Sequence, residues 1–498
     1  EKHLYGASVQ GIQNFIFQTS KLREIVGASQ LVDNICTSEF RSFCSKQGHR
    51  LVNENQIMSA AGNIRYLVDH EACQKIVRNF PKHISNYALG ITISQAVVKC
   101  TDNLRHDLNE LEKRLKSQKN KAGMPIDIGY MGLGRARRTG GVASERKYGE
   151  FIDRATSIKI EKSGKDALKL FKDFSGKDIG INAVPFEMED LTSERENGWV
   201  AIVHADGNGL GLLLQNLTKK LKENEAVQQV YSNFSKKLEQ ATKEAAQIAF
   251  KTVLNEETQN EIDAGAFHYP IRPIILGGDD LTIIIRADLA FNFTKAYLKA
   301  FEETTSKHFA TMKIEGFSKG LTACAGIAYI KSSHPFHYGV HLAESLTAAA
   351  KRNAKAINST RAPSSLYFYK VQASYIDDLE SMKSRTHFAN TSKVSFDYGP
   401  YLITEHIEKQ AHVKDLEKYL AVIHEEIKNG NPSISKIRQW AAELHKDKAK
   451  ADFMLNRIKM VNPHLYAALD LGAIQLEQEA ADTSSKTMIN DLIVLSSF

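Results

Sequence analysis

Apolar and polar positions change period in an ordered way over residues 4–100. Leu4–Gln10 alternates as a strand, and Gly11–Phe17 opens a helix with Ile12, Phe15 and Ile16 on one face. Gln30–Phe43 predicts a second amphipathic helix. Gln56–Asp69 then reads as strand, turn (Ala60-Ala61-Gly62-Asn63) and strand, followed by a helix around Cys73–Phe80 and a last strand over Leu89–Val98. Residues 198–360 repeat this order. Trp199–Ala205 predicts a strand running into Asp206-Gly207-Asn208-Gly209, and a long helix covers roughly Tyr231–Val253. A hairpin follows around Asp279-Asp280, then the helix Phe291–His308, the strand Leu321–Ile330 and the helix Gly339–Asn353. Strand, helix, strand–turn–strand, helix, strand occurs twice, which is the mark of an internal duplication.

The interval 101–195 is more polar. Asn103–Gln118 predicts a charged helix, Gly129–Gly141 is rich in glycine and arginine, and Ser163–Asp178 predicts an exposed helix or linker. From about Glu405 the pattern is helical: Val413–Ile427, Ile434–Leu444 and Asp452–Lys459 carry apolar residues at three- and four-residue spacing, with a break at Gly430 and Pro432. This last segment shows no obvious chemistry and reads as a packing or docking domain. The fold class is α+β, divided as 1–100, 101–197, 198–404 and 405–498.

Composition narrows the class without fixing it. The 498 residues are 42% hydrophobic and 25% charged, as in ordinary globular proteins. No run of about 18 apolar residues predicts a membrane span. Glu1–Gly6 shows no signal-peptide pattern. Five scattered cysteines (Cys36, Cys44, Cys73, Cys100, Cys324) with no CxxC pair argue against a structural zinc site or a disulfide framework, and point to a cytoplasmic location. The net charge of +7 is a weak sign of nucleotide or nucleic-acid contact. A local cluster, Arg135, Arg137, Arg138, Arg146 and Lys147, is either an RNA-contacting stretch or a solvated face.

The strongest chemistry lies at Gly277-Gly278-Asp279-Asp280, set between two strand-like runs. Two glycines let a hairpin turn tightly beside a ligand, while adjacent carboxylates repel each other unless a cation sits between them. Asp206 ends the first strand of the same unit. In an antiparallel sheet it would meet Asp279 and Asp280 across neighbouring strand ends. Three such acids suit two Mg²⁺ or Mn²⁺ ions about 4 Å apart and attack of a ribose 3′-hydroxyl on an α-phosphate. Gly207 offers a ligating carbonyl; Asn208 and Gly209, with Gly277 and Gly278, leave backbone groups open to phosphate; Lys351 is placed to reach a triphosphate. Each piece alone is compatible with an ordinary turn or a solvated lysine; their combination in this order points to catalysis. His334, His337 and His341 are spaced for a possible metal cluster, but Gly339 interrupts them and a structural role is preferred. Cys324 reads as a small core residue.

These pieces resemble the palm-domain polymerase/cyclase subunit of type III CRISPR effector complexes. "YGASVQGIQNFIFQTSKLREIVGASQLV" is similar to the opening of that family's first palm, "VHADGNGLG" to the first strand and metal loop of its second palm, and "LGGDDLTIII" to the catalytic hairpin. "LTACAGIAYIKSSHPFHYGVHLAESLTAAAKRNAK" resembles the closing strand and helix, and "SSLYFYKV" and "YGPYLIT" the lead into the helical domain. The resemblance implies two ferredoxin-like palms plus a C-terminal helical domain, with 1–100 a degenerate palm, 101–197 an insert and 198–404 the catalytic palm. It implies a nucleotidyltransferase making cyclic or linear 3′–5′ oligoadenylate from ATP in antiviral defence, with Mg²⁺ or Mn²⁺ held by Asp206, Gly207, Asp279 and Asp280.

The sequence also departs from the family pattern. No HD nuclease segment precedes the first palm, so DNA cleavage by one is not expected. "GLGRARRTGGVASE" carries Ala136 where the family often places zinc-binding cysteines. Ser8 and the Ala60–Asn63 turn replace the first palm's carboxylates, which makes that palm a nucleotide-binding partner with Ser59 and Asn63 as acceptor contacts. Two other readings stay open: a non-catalytic scaffold that binds nucleotide and guide RNA among other effector subunits, and a GGDEF-like cyclase using GTP. The assembly is either an effector complex or a homo-oligomer.

Overall fold

The computed structural model describes residues 2–60, 62–121, 132–164, 168–192, 198–211, 213, 224–265, 267–310, 312, 320–372, 378–430, 433–471 and 485–498. Four strands form the first sheet: β1 (Lys2–Gln10), β2 (Gln56–Ala60), β3 (Asn63–Asp69) and β4 (Thr92–Lys99), in the order β2-β3-β1-β4 and antiparallel throughout. After the small hairpin β5 (Ala143–Lys147) and β6 (Glu150–Asp153) comes the second sheet, with β7 (Trp199–Gly207), β8 (Ile271–Gly277), β9 (Asp280–Arg286), β10 (Ala323–Lys331) and β11 (Ser365–Lys370). Its antiparallel part runs β8-β9-β7-β10, which reproduces the first sheet's order strand for strand. The duplication expected from periodicity is therefore present in the hydrogen-bonding order. Beyond β10 the second sheet adds β11 in parallel and then the two-residue strand β14 (Tyr401–Leu402). A separate small sheet joins β12 (Phe388–Ala389), β13 (Val394–Ser395) and β15 (Ser485–Lys486).

β7 reads as an unbroken apolar run because both of its faces are covered. Ala201, Val203 and Ala205 face a core shared with Ala245, Phe250, Tyr297 and Phe301 of the helices Asn224–Val253 and Ala287–Ala310. Val200 and Ile202 face the opposite way, into a core shared with Leu342 and Leu346 of the helix Phe336–Ile357 and with Ile25 and Leu31 of the first sheet's domain. The two palms are thus packed through one hydrophobic layer. Ser29 Oγ also donates to the Ile274 carbonyl of β8 across this junction.

Several expected elements shift. The helix placed at Gln30–Phe43 is instead Leu22–Asn34, one π-turn (Ile35–Glu39) and the helix Phe40–Lys46. Gly27 lies inside it because the helix Arg154–Lys162 crosses there; a Cβ would stand 1.7 Å from the Lys159 carbonyl oxygen. The run Ser163–Asp178 is not a wholly exposed helix or linker: Leu168–Ser175 is helical and buries Phe171 and Phe174 against Phe250, while residues 165–167 of that run lie outside the described residues. Parts of the Gly129–Gly141 segment, Ala61 and Pro432 also lie outside them. The C-terminal helices Val413–Lys428, Ser433–Leu444 and Lys448–Val461 pack around Trp440, and β15 ties this region to β13. Among the described residues no helix is long and apolar enough to cross a membrane.

Candidate active site

Strand alternation sets the site. Asp206 follows His204, Ile202 and Val200 on the face of β7 that looks toward the first palm, and Asp280 follows the same alternation ahead of Thr282 and Ile284 on β9. Register pairs Ala205 with Leu281 and Gly277 with Asp280, so Asp206 and Asp280 come to adjacent strand ends and Asp279 sits in the turn between β8 and β9. A carboxylate oxygen from each of Asp206, Asp279 and Asp280 lies within 4.8 Å of the others, a geometry able to hold a metal ion. Burial, and then the charge of Asp206, raises the Asp279 carboxyl well above the usual range; burial followed by the charges of Asp279 and Asp206 does the same to Asp280.

One cation already stands there. Lys351 Nζ, from the helix Phe336–Ile357, bonds to Asp206 Oδ2 and donates to the Gly207 carbonyl at 2.8 Å. Gly207 has no room for a side chain, since a Cβ would meet Asp279 Cβ at 2.8 Å and Leu210 Cδ1 at 2.6 Å. The turn is fixed from behind by Thr242 Oγ1, which donates to the Gly278 carbonyl at 2.6 Å, and Gly278 has φ +61°. Hard oxygen donors, clustered carboxyls kept from ionising freely, and an ammonium bonded to one carboxylate and a backbone carbonyl together fit a divalent cation.

The other expected residues are placed as follows. Asn208 Nδ2 donates to Thr322 Oγ1 at 3.1 Å and its backbone N–H to the Thr322 carbonyl, so the residue anchors the loop just ahead of β10 while Oδ1 is buried without a partner. Gly209 has φ +72°, and Gly277 is open on its Cβ side. In the first palm, Ser59 Oγ bonds to the Cys36 carbonyl, and Ser8 Oγ donates to Asn63 Oδ1 at 3.2 Å. His337 and His341 line a shallow cleft with Gln13, Gln18 and Glu344. Cys324 is fully buried.

A cleft of about 470 Å³ opens beside Asp280 and Gly277, between the palms. Its first-palm wall includes Gln13, Asn14, Gln30 and Asp33; its second-palm wall includes His204 and Lys243. Sequence reasoning passed over His204, although its position two residues before Asp206 puts it on the same strand face. Burial lowers its pKa to about 4, which keeps the ring neutral, and Nδ1 lies 3.0 Å from Thr282 Oγ1. The basic stretch is partly structural: Arg138 forms a two-pronged pair with the buried Glu24 (2.6 and 2.9 Å) and a 3.0 Å pair with Glu150.

Fold and site together define a double-palm protein in which one palm gathers three acids able to hold a metal ion. Residues 199–359 match the family model of Cas10/Cmr2, second palm domain. Over those residues, which hold all three acids, the chain is similar to that family's second palm. No curated protein matches it in sequence. Among solved structures, the Csm1–Csm4 cassette in complex with pppApA aligns at 12% identity and TM-score 0.50, covering 99% of this chain and 69% of that one. The cassette in complex with pppApApA (11%, TM-score 0.50, 99% and 69%) and the Csm1–Csm4 subcomplex of the type III-A CRISPR-Csm interference complex (12%, TM-score 0.50, 99% and 70%) align similarly. At these identities the likeness is one of fold.

Proposed function

We propose that the chain is a nucleotidyltransferase that joins ATP into 3′–5′ linked linear or cyclic oligoadenylate within a type III CRISPR assembly. The observation that carries this reading is the convergence of Asp206, Asp279 and Asp280, the last of which lines the inter-palm cleft. Mg²⁺ or Mn²⁺ held by these carboxylates and the Gly207 carbonyl would supply charge neutralisation and hydroxyl activation. The protein's own groups do the rest. Lys351 is near enough to leave Asp206 for a triphosphate oxygen, and the open Cβ side of Gly277 leaves space for a phosphate to approach the turn. The acceptor nucleotide takes the cleft, where the side chains of Gln13, Asn14 and Gln30 offer hydrogen bonds to a base and the neutral His204 adds no charge. The first palm, with Ser8 and Asn63 where the second palm has acids, forms a platform for binding rather than reaction.

Adenine as the base, and a partner subunit, are supported by the similarly folded Csm1–Csm4 assemblies, two of them solved in complex with pppApA and pppApApA. The test is incubation of the protein with radiolabelled ATP and Mn²⁺, with and without RNA, and mass spectrometry of products from all four ribonucleoside triphosphates. Pyrophosphate and adenylate oligomers are expected. Their absence under every condition, or full activity in the variant Asp279→Ala/Asp280→Ala, would overturn the reading.

A further inference from the structure

A second, larger cavity of about 920 Å³ lies on the other side of β11, where the second palm meets the C-terminal helices. It is separate from the inter-palm cleft and shares no lining residue with it. Lys370, the last residue of β11, and Arg438, from the helix Ser433–Leu444, both line it, as does Arg385. Among its described lining residues there is no Asp or Glu. Arg438 makes no ion pair among the described residues, and Lys370 Nζ finds only the Ser497 hydroxyl at 2.6 Å. Lys370 also lies 4.4 Å from the ring centres of Trp199 and Phe498, which screen it from water. Burial, and then the charges of Arg438 and Lys331, lower its pKa to about 8. Two cations at one cavity wall, with no carboxylate among its described lining residues, give that wall a positive potential that favours an anion.

The rest of the wall suits a larger ligand than a simple ion. Phe396 and His445 stack at 5.3 Å with an interplanar angle of 25°, and both rings line the cavity. Met382, Ala441 and Ile493 add apolar surface, and Asn490 adds an amide. Cations beside an aromatic platform form the usual arrangement for a phosphate joined to a base. We propose that this cavity is a second anion site, in which Lys370 and Arg438 take the phosphate of a nucleotide or short oligonucleotide and the Phe396–His445 pair takes its base.

The test is calorimetric titration of the full chain at low salt in EDTA, with ATP, a short linear oligoadenylate and inorganic phosphate as probes. Without metal, the crowded carboxylates of the palm site disfavour triphosphate, and the variant Asp279→Asn/Asp280→Asn shows whether that site contributes. Binding of ATP or the oligomer that survives in this variant and weakens at least about tenfold in Arg438→Glu is the expected result. Arg438 is exposed, so this change leaves folding intact, and Lys370→Ala is the second variant. Equal binding of inorganic phosphate would support the site with free phosphate as its ligand. Failure of all three probes at millimolar concentration, or affinity unchanged in both Arg438→Glu and Lys370→Ala, would overturn it. Because no turnover is measured, failure here leaves the nucleotidyltransferase reading standing, and the converse holds.

Discussion

Ser8 Oγ donates a 3.2 Å hydrogen bond to Asn63 Oδ1 at the strand-end position that Asp206 and Asp280 hold in the second palm. The register supports the equivalence: Ala7 pairs with Ile64 and Ala60 with Asn63, as Ala205 pairs with Leu281 and Gly277 with Asp280. A neutral pair in one palm thus mirrors two acids in the other. Replacing Ser8 and Asn63 together by Asp should lower the melting temperature in EDTA by several degrees, from repulsion on the order of 1–3 kcal/mol. Mn²⁺ should recover part of that loss, read by differential scanning fluorimetry. An unchanged melting temperature in EDTA would break the equivalence.

Lys351 bonds to Asp206, the carboxylate that the proposed metal would share. Lys351→Met should bind Mn²⁺ several-fold more tightly than the parent, because the competing ammonium is gone, yet lose at least about tenfold in turnover with ATP. Metal titration and initial rates measure the two effects separately. Weaker Mn²⁺ binding in this variant would show that Lys351 does not occupy the metal position.

Gly207→Ala places a methyl 2.8 Å from Asp279 Cβ. The hairpin must move, so metal affinity should fall by about tenfold or more at a stability cost of about 1–3 kcal/mol. Wild-type Mn²⁺ affinity would show that the site tolerates the shift.

Arg138→Ala should destabilise the protein by about 3 kcal/mol, since it leaves Glu24 buried without its partner. Chemical denaturation measures this directly. A stable variant with weakened RNA binding would instead assign Arg138 to nucleic acid.

Asp491 gives a pH signature. Burial raises its pKa to about 7, against the 2.5 Å hydrogen bond from Tyr401. The folded state keeps the proton over a range where the unfolded chain releases it, so stability should fall as pH rises from about 4 towards 7. Asp491→Asn should flatten that part of the melting-temperature profile. An identical slope in the variant would remove Asp491 as its source.

Much of the architecture was legible because it rests on local signals. Two short strand-like apolar runs around a glycine turn marked the hairpin β8–β9, and the same order of elements earlier in the chain marked the sister hairpin β2–β3. Asp206, Asp279 and Asp280 could be associated because antiparallel neighbours bring strand ends together. Gln30 and Asp33 facing Leu276 across a cleft could not be read, because that contact depends on how two separately coded units dock. The bond from the Ser59 hydroxyl to the Cys36 carbonyl could not be read either, because it forms at a π-turn that no periodicity announces. The parallel pairing of β11 with β10, and with it the meeting of Lys370 and Arg438, has no short-range sequence signal either.

The Ser29–Ile274 bond has a mechanical consequence. Ile274 lies on β8 only three residues before Gly277, where the acid-bearing turn begins. A stiff strand transmits a displacement along its length, so whatever tilts the first palm also tugs on the carboxylates. The first palm is therefore a lever on the acid-bearing turn: any displacement of it is passed along β8 into the spacing of Asp279 and Asp280 from Asp206.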